Sequence, residues 1–161
     1  VTVTDTKSGG DPGIKTNAPE KAAKDRFDGA MRSIFFDFDK SDLRDDAKNT
    51  LDRNAQFLTQ SENSTIVFRV EGNCDPRGSE EYNLALGDKR ANAAKTYLIG
   101  KGVDPSRMEV ISNGKRYAAG SSEGDPSVRP SWAYDRRAEF IYLRGGGTLR
   151  PTPPAPPAEN K

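Results

Sequence analysis

Apolar and polar positions along residues 31–144 switch repeatedly between two periods. Ser33-Ile34-Phe35-Phe36-Asp37-Phe38 is short and aromatic, which predicts a strand. Beyond it, Leu43, Ala47, Leu51, Ala55 and Leu58 recur at three-to-four spacing, which predicts a helix with Ser41 as its N-cap. Thr65 to Gly72 alternates, with Ile66, Phe68 and Val70 on one side and Arg69 and Glu71 on the other, and reads as a second strand. A second helix is predicted from about Ser79 to Ile99, stopped by Gly100-Lys101-Gly102. Met108 to Ser112 and Arg137 to Leu143 read as the third and fourth strands, separated by a long loop over residues 115–134. The order β-α-β-α-β-β predicts an α/β sandwich, with helices packed on a mixed four-stranded sheet.

The flanks break this pattern. Residues 1–30 are rich in Gly, Lys, Asp, Thr and Ala, and read as a flexible lead with a short helix near Glu20 to Met31. Gly145-Gly146-Gly147 ends the last strand, and residues 145–161 read as a disordered Gly/Pro-rich tail.

Composition then removes whole classes of chemistry. With no histidine, there is no His general base, no Ser-His-Asp or Cys-His system and no His-metal site. One cysteine, Cys74, allows neither an internal disulfide nor a Cys-rich zinc site, and no metal or other cofactor is expected. Cys74 itself reads as a small buried residue. With 25 basic against 24 acidic residues, the net charge of +1 supplies no general drive toward nucleic acid, and no nucleic-acid partner is expected. No apolar run approaches the roughly 18 residues of a membrane helix.

The informative stretch is Val70-Glu71-Gly72-Asn73-Cys74-Asp75-Pro76-Arg77-Gly78, running into the second helix. On that helix Leu84, Ala91, Ala94 and Leu98 form the expected core face. Asn83, Leu86 and Arg90 form a separate stripe, about a quarter-turn away at 100° per residue. The loop bearing Asp75 and Arg77 meets this stripe at the helix N-terminus, where free N–H groups favour an anion. Such a site suits a ligand with both an ammonium, for Asp75, and a carboxylate, for Arg90. The same residues also fit a blander scheme, in which Asp75 caps the helix and pairs with Arg90 as a structural bridge.

Three separated runs carry a resemblance: Phe36-Asp37-Phe38-Asp39-Lys40-Ser41-Asp42-Leu43, the Val70–Gly78 run, and Tyr82-Asn83-Leu84-Ala85-Leu86-Gly87-Asp88-Lys89-Arg90-Ala91. With Arg136-Arg137-Ala138 they resemble the OmpA-like C-terminal domain, most of all its peptidoglycan-associated lipoproteins (Pal), over about residues 32–144. The resemblance implies a non-catalytic domain that binds peptidoglycan through the meso-diaminopimelate of its stem peptide. It implies that Asp75 and Arg90 grip that group, that Phe38 and Asp39 add contacts, and that Arg77, Asn83 and Leu86 line the rest. It further implies a tether in the periplasm, partnered by Tol-system proteins and held to the outer membrane by an N-terminal lipid anchor upstream of Val1. Cys74 and Pro76 depart from the commoner small and acidic residues, and the loop from Arg116 to Tyr134 matches poorly. Other readings are the wall-binding domain of an OmpA-like porin or flagellar stator, a wall hydrolase using Asp37, Asp39 and Asp75, and an RNA-binding sheet.

Overall fold

A computed structural model describes residues 18–119 and 129–146. In chain order the elements are α1 (Ala18–Ala30), β1 (Ile34–Phe35), α2 (Asp45–Leu58), β2 (Val67–Asn73), α3 (Glu80–Gly100), β3 (Met108–Gly114), α4 (Arg129–Asp135) and β4 (Arg137–Arg144). The sheet order is β1-β4-β2-β3. Only β2 and β3 are parallel, joined by the α3 crossover, while β4 lies antiparallel to both β1 and β2. The expected mixed four-stranded sheet with helices packed on it is therefore the fold. The strand order also sets the site: Gly72 at the exit of β2 pairs with Ala138 at the entry of β4, so the Asp75 loop lies beside Arg136.

Alternation along β2 sends Phe68 and Val70 into the core. They meet Leu51, Ala55 and Leu58 of α2 and Ala91, Ala94 and Leu98 of α3. Ser79 caps α3 by accepting a hydrogen bond from the Tyr82 backbone N–H. The halves of α3 and β2 nearest the site touch through two glycines. A Cβ on Gly72 would lie 1.8 Å from the Gly87 carbonyl oxygen, so only glycine allows this approach.

Several expectations shift. The folded unit includes Ala18–Ala30 of the expected lead, because Ala23 and Phe27 of α1 are fully buried. Phe27 packs against Phe57, Phe68 and Tyr142, with ring centroids 6.3, 5.7 and 5.8 Å away. Residues 1–17 of the expected lead and 147–161 of the expected tail lie outside the described residues. Gly145 and Gly146 remain tied down, their N–H groups donating to Glu20 Oε1 at 3.1 Å and Thr65 Oγ1 at 2.7 Å. Ser41 does not cap α2; Arg44 holds the N-cap position, and Asp45 and Asp46 occupy the first turn. The expected loop over 115–134 contains the start of α4, while residues 120–128 are not described. On α3, Leu84 is 45% exposed, whereas Asn83, Leu86 and Arg90 are buried. The inward arc thus runs through 83, 86, 87, 90, 91, 94 and 98, and Leu84 falls just past its edge.

Candidate functional site

The loop after β2, the N-terminal half of α3 and the segment after β1 enclose a cavity of about 380 Å³. All seven residues singled out from sequence line it: Phe38, Asp39, Asp75, Arg77, Asn83, Leu86 and Arg90. Cys74, Gly78 and Tyr82 complete the lining.

Arg90 is the largest fully buried side chain, 1% exposed. Its Nε donates to Lys40 O at 2.9 Å, Nη1 to Asn73 O at 2.9 Å and Nη2 to Asp37 O at 3.1 Å. One guanidinium thereby fastens the segment after β1 to the exit of β2. Burial pulls the Arg90 guanidinium below its ordinary value, opposed by Cys74 and Asp75. The expected structural bridge from Arg90 to Asp75 is not made, because Arg90 is turned to backbone carbonyls.

Asp75 is 3% exposed and bonds two other arginines. Its Oδ1 accepts from Arg77 N at 3.1 Å and Arg77 Nε at 3.2 Å. Its Oδ2 accepts from Arg77 Nη2 at 2.7 Å and from Arg136 Nη1 at 3.5 Å. Desolvation pushes the Asp75 carboxyl up, but the hydrogen bonds and charge of Arg77, with Arg136, outweigh it and hold the group below its usual range.

The remaining lining residues are positioned by α3. Asn83 Nδ2 donates to Arg77 O at 2.7 Å and Ser79 O at 3.0 Å, which fixes the loop over the helix start. Tyr82 donates its hydroxyl to Asp39 across the cavity mouth, and Asp39 adopts a positive φ of 60°. Cys74 is 2% exposed and points its sulfur at Asn83 O, 3.3 Å away. Burial pushes its thiol up to about 11, so it stays protonated near neutrality. Phe38 stands 53% exposed at the rim, with the Arg77 guanidinium 3.6 Å above its ring.

Two participants were not assigned to the site from the sequence. Arg136 belongs to the Arg136-Arg137-Ala138 run, but its reach to Asp75 spans 61 positions and depends on β4 lying beside β2. Trp132 on α4 also stacks on Arg77, its ring centroid 4.3 Å from the guanidinium, and no periodicity in its poorly matching segment marks it.

The family model described as OmpA matches residues 35–129. The chain belongs to the OmpA family. A peptidoglycan-associated lipoprotein of Mesorhizobium japonicum is 49% identical over 115 residues, 71% of this chain and 64% of its own length. One from Pseudomonas aeruginosa is 36% identical over 141 residues, 82% of this chain and 80% of its own. The structure of the peptidoglycan-associated lipoprotein from Burkholderia pseudomallei matches with a TM-score of 0.60 at 39% identity, covering 70% of this chain and 90% of that one. Within the OmpA family, the chain falls among the peptidoglycan-associated lipoproteins. It spans 60–64% of the length of several curated relatives. The OmpA-family match contains the whole cavity lining and stops at the start of α4.

Proposed function

We propose that this domain binds peptidoglycan non-covalently, gripping the zwitterionic side-chain end of meso-diaminopimelate in the stem peptide. The observation that carries this reading is one cavity offering a buried carboxylate, Asp75, and a buried guanidinium, Arg90, that do not neutralise each other. Asp75 receives the ligand ammonium. Arg90 spends three of a guanidinium's five N–H groups on carbonyls and keeps donors for the ligand carboxylate. Phe38, Asp39, Arg77, Asn83 and Leu86 shape the walls. The reading draws further support from relatives named for association with peptidoglycan.

Binding without bond cleavage is the chemistry this set favours. Asp37 faces Arg44 at 3.5 Å, Asp39 accepts from Tyr82, and Asp75 is held ionised by arginines. A carboxyl held ionised in this way is the reverse of the raised general acid that a hydrolase needs.

The domain then acts as a tether between wall and outer membrane, in the periplasm, its lipid anchor upstream of Val1 and Tol-system proteins as further partners. The layout suits that role. Glu20 and Gly145 meet beside Thr65 and the entry of β2, at the opposite end of the sheet from Asp75. The two ends of the described chain on either side of the sheet therefore lie away from the cavity.

Calorimetric titration with soluble stem peptides tests the reading. A peptide ending in meso-diaminopimelate binds, and its lysine counterpart, lacking the terminal carboxylate offered to Arg90, binds at least tenfold more weakly. Equal binding of the two would remove Arg90 from recognition.

A further inference from the structure

Asp75 is saturated in the free protein. A carboxylate offers about four lone-pair directions, and four N–H contacts reach this one: Arg77 N, Nε and Nη2, and Arg136 Nη1. With Asp75 only 3% exposed, an incoming ammonium has no unoccupied oxygen face to bind. One of the four contacts must yield. The Arg77 backbone N–H is fixed by the turn that it closes with Asp75. Arg136 is anchored elsewhere, its Nε donating to Phe36 O at 2.9 Å. The Arg77 side chain supplies two of the four contacts and is the more exposed arginine, 25% against 16%.

What holds the Arg77 side chain in place, besides Asp75, is a pair of aromatic rings. Its guanidinium lies 3.6 Å from the Phe38 ring centroid and 4.3 Å from that of Trp132. Phe38 is exposed at the rim, whereas Trp132 is 7% exposed. The indole Nε1 is buried without an acceptor, so the ring's face toward Arg77 is its one polar engagement in the described structure.

We propose that Arg77 is a resident cation filling the ammonium subsite of Asp75 in the free protein, and that Trp132, by stacking on Arg77, is a positioning residue that sets wall-peptide affinity. This rests on the wall-peptide reading above. The ligand's ammonium replaces one positive charge at Asp75 with another, so the carboxylate is never left buried and unmatched. The work of pulling Arg77 from its two rings and from Asp75 is subtracted from the affinity. Selectivity follows, because a neutral or acetylated amine has no charge with which to displace a guanidinium.

Calorimetry with a soluble stem peptide ending in meso-diaminopimelate tests this on the folded domain and four variants. Arg77→Gln and Trp132→Leu each bind about 2–30-fold more tightly than wild type, the range expected for releasing a stacked guanidinium. Asp75→Asn loses binding. Arg53→Gln, an equal charge change on the exposed face of α2, leaves it unaltered. Trp132 is the chain's single tryptophan and reports directly. Its emission changes with peptide in wild type at the calorimetric midpoint, and stays flat with the side-chain-acetylated peptide and in Arg77→Gln. If Arg77→Gln fails to fold, Trp132→Leu carries the same expectation. Wild type that binds while folded Arg77→Gln or Trp132→Leu binds equally or more weakly overturns the proposal alone. Wild type that fails to bind overturns the wall-peptide reading and the proposal with it.

Discussion

Arg90 and Asp75 line the same cavity, both almost wholly buried, yet no hydrogen bond or ion pair joins them. Arg90 reaches the carbonyls of Asp37, Lys40 and Asn73, while Asp75 takes Arg77 and Arg136. Each charge is thus satisfied by a partner that keeps the two apart. A ligand carrying both signs can then engage both without first breaking a bridge between them.

Arg90 belongs to the framework and, on the proposed reading, to recognition as well. Arg90→Ala removes three charge-assisted hydrogen bonds and leaves carbonyls unmatched, which should cost roughly 3–5 kcal/mol of stability in urea unfolding. Arg90→Lys can still reach one or two carbonyls and should remain folded. It should lose at least tenfold in peptide affinity, because a point charge cannot reproduce the planar fork. A folded lysine variant with wild-type affinity would assign Arg90 a structural role only.

Asp75 has a pH signature. Its carboxyl is held below the ordinary range in the folded state, so it contributes stability that is complete above the unfolded value of about 4 and is lost as pH falls through the folded one. The melting-temperature difference between wild type and Asp75→Asn should be constant from pH 7 to about 5 and shrink below about 4. Asp135 has the opposite sign, because burial raises its carboxyl above the unfolded value. Its protonated form is favoured by folding, and its contribution grows as the solution is acidified. A difference for Asp75→Asn that widens on acidification would contradict the assignment.

The contact of α3 with β2 leaves no room at two glycines. Gly72→Ala places a methyl 1.8 Å from Gly87 O, and Gly87→Ala places one 2.2 Å from Ser112 Oγ. Either should cost about 1–3 kcal/mol, with Gly72→Ala at the upper end, because it meets backbone rather than a side chain that can rotate. Since Leu86 and Arg90 travel with α3, Gly72→Ala should also weaken peptide binding. Unchanged melting temperatures would refute the tight packing.

Much of this was legible in the sequence, and the parts that were not have a common cause. The helices α2 and α3 and the strand β2 announce themselves through local periodicity, and the cavity-lining residues sit within three contiguous runs. Phe27 is a lone large apolar residue in a polar stretch, and only its meeting with Phe68 and Tyr142 reveals that α1 belongs to the core. Leu84 looked like a core residue by type, but α3 turns Asn83 and Arg90 inward instead, each satisfied by carbonyls from outside the helix. The pairing of Arg77 and Arg136 with Asp75 was hidden for two reasons. Arg77 closes a turn too short to show periodicity, and Arg136 arrives from β4.

Cys74 should behave as an inert part of the cavity floor. Its thiol is pushed up to about 11 by burial, so roughly one molecule in a thousand carries a thiolate at pH 8. Iodoacetamide at pH 8 should leave the folded domain unmodified by intact mass while labelling the urea-unfolded chain. Rapid labelling of the folded state would show the floor to be open.

On the proposed reading, one cavity holds the wall through two separated charges. Co-sedimentation with purified insoluble peptidoglycan tests it most directly, using wild type, Asp75→Asn and Arg90→Lys, each confirmed folded by circular dichroism. Wild type is expected in the pellet and both variants in the supernatant, each weakened by an amount on the order of 2–4 kcal/mol, or roughly thirty- to several-hundred-fold. Wild type remaining in the supernatant, or both folded variants pelleting with it, would contradict the account.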